Sequence, residues 1–200
     1  MVLEQNQKAM IAAARFISVL LHPLFIAPLT FSFLLYYMPL DRSYKIYYLL
    51  LILLAVNVIP FLAVLKLKRS GRTVSLDVPE RDQRPQPFFI SVGGYLVSCL
   101  LLGLGGAPRA IVVLMWIYAF NTLVATIITF YWKISIHGMA FSGPVAALGV
   151  LVTPQFYWLT LLLPLIVFAR VILRAHNTAQ VVIGYILGFI LTFIQLRMLL

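Results

Sequence analysis

Apolar residues gather into seven runs along the 200-residue chain, at about 12–37, 46–65, 88–104, 110–132, 138–152, 156–172 and 179–196. Several reach the roughly 20 residues that a helix needs to cross a hydrocarbon core of about 30 Å. The pattern predicts an all-α, polytopic transmembrane helical bundle of six to seven helices, a single integral membrane domain over residues 1–200. Pro23 and Pro28 fall within the first run, where a membrane helix tolerates proline with a kink. Glu4, Arg15 and His22 in and before that run argue against a cleaved signal peptide, so it is expected to be retained. Gly103, Gly105, Gly106 and Pro108 mark one turn, and Thr153, Pro154 and Gln155 another.

Composition agrees with this picture: 63% of residues are hydrophobic and 10% are charged, an apolar excess that no soluble 200-residue core can hide. The single cysteine, Cys99, lies inside a run, which excludes an intrachain disulfide and a cysteine metal cluster. The formal net charge is +10, yet the basic residues sit in short loops and at segment ends without a long solvated tract. Membrane topology explains them better than nucleic acid does.

Polar residues concentrate at 66–86, 133–138 and 170–176. An even number of crossings separates each of these steps from the next, so all three are expected at one membrane face. The 66–86 loop holds Lys66, Lys68, Arg69, Arg72, Arg81 and Arg84 together with the acids Asp77, Glu80 and Asp82. From residue 83 to the C-terminus there is no Asp or Glu, although Arg84, Lys133, His137, Arg170, Arg174 and His176 all lie there. Cationic groups at a bilayer segment are costly and mark functional cavities. The pattern therefore predicts an anionic ligand, with phosphate first among the candidates.

Arg170 and His176, followed by Gln180, resemble the third signature of the type 2 phosphatidic acid phosphatase superfamily (PAP2), SRxxxxxHxxxD. Ser135, Ile136, His137 and Gly138 resemble a weakened second signature, PSGH, and Arg84 with Pro85 matches the close of the first, KxxxxxxRP. The similarity covers roughly residues 66–190 and identifies the chain as a divergent member. It departs where the first-signature Lys falls on Asp77, the third-signature Ser on Ala169 and the third-signature Asp on Gln180. Arg81 and Lys133 are candidates to replace the basic group.

The resemblance implies a membrane lipid phosphate phosphatase that works through a phosphohistidine, without metal or cofactor. His176 would attack phosphorus and His137 would protonate the leaving alkoxide, a nucleophile with a separate general acid. Arg84, Arg170, Arg81, Lys133 and Ser135 would bind the phosphate, whose charge is spread over its equatorial oxygens. Gln180 would orient His176. Its amide oxygen accepts a hydrogen bond but carries no charge, and in a Ser-His-Asp triad the Asp→Asn change costs about 10⁴ in rate. Asp77 and Asp82 are the alternative acids. The second reading is a non-catalytic binder or transporter of anionic lipid on the same scaffold. A polyprenyl transferase is disfavoured, because that chemistry needs two Asp-rich metal sites and the acids near the core are Asp77, Glu80 and Asp82.

Other residues receive structural expectations. His22 is expected to be structural, Asn57 and Asn121 to make interhelical hydrogen bonds, and Trp116 to pack inside the bundle. Gly184 and Gly188 form a small-xxx-small pair suited to close helix packing, with a homodimer as the further possibility. The run from Lys66 to Arg72 is expected to meet anionic lipid. Lys8, Arg15 and the three polar clusters share one face, against Arg42, Lys45, Arg109 and Arg197 on the other. The positive-inside rule then places the site face in the cytoplasm.

Overall fold

The computed structural model describes residues 2–73 and 78–200. Among them every regular element is helical: α1 (Val2–Leu20), α2 (Pro23–Tyr37), α3 (Arg42–Leu53), α4 (Ile59–Arg69), α5 (Pro85–Leu104), α6 (Arg109–Tyr131), α7 (Ile136–Leu151), α8 (Leu163–Ile172) and α9 (Thr178–Leu199). A π turn, Leu54–Val58, joins α3 to α4, and 3-10 segments Arg81–Gln83 and Pro154–Leu162 precede α5 and α8. Six stretches are long and apolar enough to cross a bilayer, and α7 is a shorter apolar helix of 16 residues. The chain is thus an integral, multi-pass membrane protein.

The first apolar run is two helices and not one kinked helix. His22 adopts an extended backbone and its Nδ1 accepts the Leu24 amide, while Pro23 fills the first position of α2. Pro is at home there, where an N–H would have no intrahelical partner. The two pieces then part: α1 packs on α8, whereas α2 packs on α7 and α3.

Proline also explains how the second span meets the first. Pro28 has no N–H to offer the Leu24 carbonyl one turn back, and the Asn57 amide donates to that carbonyl at 2.7 Å. Asn57 lies in the π turn just ahead of Pro60, which cannot donate either; there the Ile59 amide reaches five residues back to the Leu54 carbonyl. Asn121 likewise bonds across helices, donating to Thr192 Oγ1 at 2.9 Å. Trp116 departs from its expected role. It is 44% exposed on the outer surface of α6, where an apolar ring meets lipid at no cost.

The crossing of α7 with α9 sets the site. A Cβ on Gly138 would stand 2.6 Å from the Val181 carbonyl oxygen, on Gly184 2.7 Å from that of Ser135, and on Gly188 2.6 Å from that of Met139. Only glycine lets the two backbones approach so closely. Gly184 and Gly188 are therefore used inside the chain, against α7, and do not form a free dimerisation face. The crossing is tied at its end by the Ser135 amide, which donates to the Gln180 carbonyl at 3.2 Å.

Candidate functional site

The spacing from Arg170 to His176 has a local backbone cause. Arg174 takes a left-handed conformation, φ 52°, and ends α8. The Arg174 amide donates to the Val171 carbonyl at 2.9 Å and the Ala175 amide to the Arg170 carbonyl at 3.0 Å, the paired bonds of a Schellman motif. The His176 amide also returns to the Arg170 carbonyl, at 3.2 Å. One residue later α9 begins with a capping box: Asn177 Oδ1 accepts the Gln180 amide at 2.9 Å and Gln180 Oε1 accepts the Asn177 amide at 3.3 Å. A helix stop, a histidine and a helix start thus occupy a fixed number of residues, and both side chains turn to one place.

Gln180 Oε1 also stands 3.0 Å from His176 Nδ1. Because that oxygen takes a backbone N–H, the amide cannot be reversed, and Nδ1 must be the donor of the pair. The remaining ring nitrogen, Nε2, keeps its lone pair. His176 is buried, and its pKa is lowered from 6.5 to about 4 by burial first, then by the charge of Arg84, with Arg170 and Lys133 adding and the Gln180 hydrogen bond opposing. It is neutral near pH 7.

Arg84 caps α5 from the loop side and is 4% exposed. Its Nε donates to the Val78 carbonyl at 2.8 Å and one terminal nitrogen to the Ile134 carbonyl at 3.2 Å. Val78 has φ 45°, a conformation that β-branched residues seldom adopt; it turns the carbonyl onto Arg84. Arg170, 2% exposed in the last turn of α8, donates to Ser18 Oγ at 2.7 Å and lies 3.5 Å from His137 Nε2. His137, in the first turn of α7, lies 3.5 Å from Ser18 Oγ and meets the His22 ring edge to face at 4.9 Å between centroids.

Arg84, Arg170, His137 and His176 all line one cavity of about 460 Å³. Its remaining wall is largely apolar and is drawn from α2, α4, α5, α6 and α7, including Ala27, Phe61, Phe88, Tyr95 and Met139. The N-termini of α5, α7 and α9 stand at the cationic end. Helix N-termini carry partial positive charge and orphan N–H groups, so they add to the field for an anion.

Not every expected residue joins the cavity wall. Arg81 bonds the Tyr131 carbonyl at 2.9 Å and Asp82 at 3.3 Å, away from the cavity. Ser135 caps α7, its hydroxyl accepting the Gly138 amide at 3.4 Å. Lys133 is half-buried beside the site, and its pKa is lowered by burial and then by the charges of Arg84 and Arg170. Asp82 is exposed and pairs with Arg81, so it does not stand in for the acid beside His176; Asp77 lies outside the described residues. Ser18 and His22 are additions. The available signal was their i, i+4 spacing before Pro23, which puts two polar groups on one side of an apolar run. No family model, curated protein or solved structure matches the chain.

Proposed function

We propose that this protein is a membrane lipid phosphate phosphatase of the type 2 phosphatidic acid phosphatase kind. One observation carries the reading: a single cavity joins two buried arginines and two histidines at one end to an apolar wall at the other. The phosphate of an amphiphile fits the first part and its chain the second. A cavity of this size is within the range that holds one small ligand.

In the proposed reaction Arg84 and Arg170 bind the phosphoryl oxygens and align them with His176. The Nε2 lone pair attacks phosphorus and the bond to the lipid oxygen breaks, with a proton from His137 going to the leaving alkoxide. Water then attacks the phosphohistidine as His137 takes its proton back, which frees inorganic phosphate and restores His176. The Gln180 carbonyl keeps the proton of the neutral ring on Nδ1, which leaves the attacking nitrogen its lone pair. The cationic end of the site lies on the side of the Lys66–Arg72 run, where Arg72 donates to Gln86 Oε1 at 3.0 Å, and we assign this face to the cytoplasm.

The decisive experiment is release of inorganic phosphate from a panel of lipid phosphates in detergent with chelator present. Wild type is expected to release it, and His176→Ala and His137→Ala to lose at least about 10³-fold and 10²-fold respectively. Equal release by wild type and His176→Ala rules out the nucleophile. The neutral Gln180 favours a second reading, an anionic-lipid binder, which binding without release by the wild type would select.

A further inference from the structure

Ser18 comes from α1, the helix that departs from the rest of its apolar run and packs on α8. Its hydroxyl accepts from Arg170 at 2.7 Å and stands 3.5 Å from His137 Nε2, with all three side chains buried. We infer that Ser18 is a positioning residue, whose hydroxyl fixes the Arg170 guanidinium and holds the neutral His137 ring with its Nε2 lone pair toward Ser18 and Arg170.

The hydrogen-bond inventory supplies the argument. A guanidinium only donates. With an Arg170 N–H at 3.5 Å from Nε2, a proton on that nitrogen would face another donor. With Nε2 thus an acceptor, the Ser18 hydroxyl, which accepts from Arg170 on its oxygen, turns its own proton to Nε2. The resting ring therefore carries its proton on Nδ1, and Nε2 is the basic atom. Other charged or titratable groups around His137 are His22 at the α1–α2 break, Arg84 and Lys133 from the flanking loops, and His176 ahead of α9. None of them supplies a hydroxyl between Arg170 and His137. In the proposed reaction this arrangement keeps the resting His137 neutral, so the proton it later gives to the alkoxide enters with the anion.

The consequence for catalysis rests on the phosphatase reading, but the positioning role is measurable without turnover. The chain has three histidines, so carbon-13 histidine labelling in detergent micelles yields a spectrum simple to assign. Ser18→Ala is expected to raise the proton affinity of His137 about fivefold, the scale of one lost hydrogen bond, with His176 unmoved. Ser18→Thr, which keeps the hydroxyl, should restore the wild-type titration. Ser18→Cys, nearly isosteric and a weak donor, should move His137 in the same direction and replaces the alanine variant if that one does not fold. An unchanged His137 in the variants that lack the hydroxyl overturns the inference. So does a parallel movement of His137 and His176, which would mean general loosening. Phosphate release separates the two claims. A His137 shift in a protein that releases no phosphate keeps the positioning role and removes the phosphatase; release by wild type with an unmoved His137 in Ser18→Ala does the reverse.

Discussion

Gln180 Oε1 accepts the Asn177 amide at 3.3 Å and faces His176 Nδ1 at 3.0 Å, so one side-chain oxygen closes a helix cap and fixes a histidine tautomer. Gln180→Glu keeps the reach and adds a charge. It is expected to raise the His176 pKa above about 4 and, if turnover occurs, to raise phosphate release about tenfold or more. Gln180→Leu should lower release and let Nδ1 and Nε2 exchange the proton, visible in the nitrogen-15 shifts of His176.

Stability should depend on pH through His176. Its folded pKa, about 4, lies below the ordinary 6.5, so as pH falls below 6.5 the unfolded chain takes up this proton first. The His176 contribution is complete above about pH 6.5, is lost progressively down to about pH 4, and is constant below. Thermal unfolding in detergent at pH 7 and pH 4.5 should show a drop for wild type that is smaller in His176→Asn.

Anion binding should bring a proton with it. A phosphate placed beside His176 and the two arginines offsets their charge, which raises the histidine pKa. Affinity for vanadate or a lipid phosphate is therefore expected to rise as pH falls from neutrality toward about 4. Calorimetry in buffers of different ionisation enthalpy should report net proton uptake, and Arg170→Ala should abolish the binding heat.

Gly188→Leu should be among the most damaging changes outside the cavity, because even its Cβ would meet the Met139 carbonyl oxygen at 2.6 Å. A loss of about 2–3 kcal/mol or more is expected from overpacking at a backbone contact. Trp116→Leu, on the lipid-facing surface of α6, should change unfolding by no more than about 0.5 kcal/mol. Thermal unfolding of the two variants side by side tests the assignment of these faces.

The runs of apolar residues were legible because spanning a bilayer demands length and hydropathy, which are properties of a local window. The Arg170–His176–Gln180 spacing was legible for a related reason: a Schellman stop followed by a capping box is local, so counting residues fixes its geometry. Ser18 and His22 were not legible in this way. They reach His137 only because α1 folds onto α8 and α2 onto α7, a tertiary choice that no window of residues contains. Trp116 failed for want of contrast, since α6 is apolar on all sides and hydropathy gives no sign of which side turns inward. Arg81 failed because spacing placed it near Arg84, while its long side chain found the Tyr131 carbonyl.

Between membrane helices, apolar contact is nearly interchangeable with contact to lipid, so packing alone defines the separation of two spans weakly. Leu24 of α2, Val56 of the π turn and Pro60 of α4 all line the cavity. The bond from Asn57 to the carbonyl that Pro28 leaves vacant joins the π turn to α2 directionally. The seating of α2 against the π turn is thus set by an amide whose length does not respond to the lipid outside, and a proline that breaks a helix rule becomes the reason these two cavity-lining pieces keep their register.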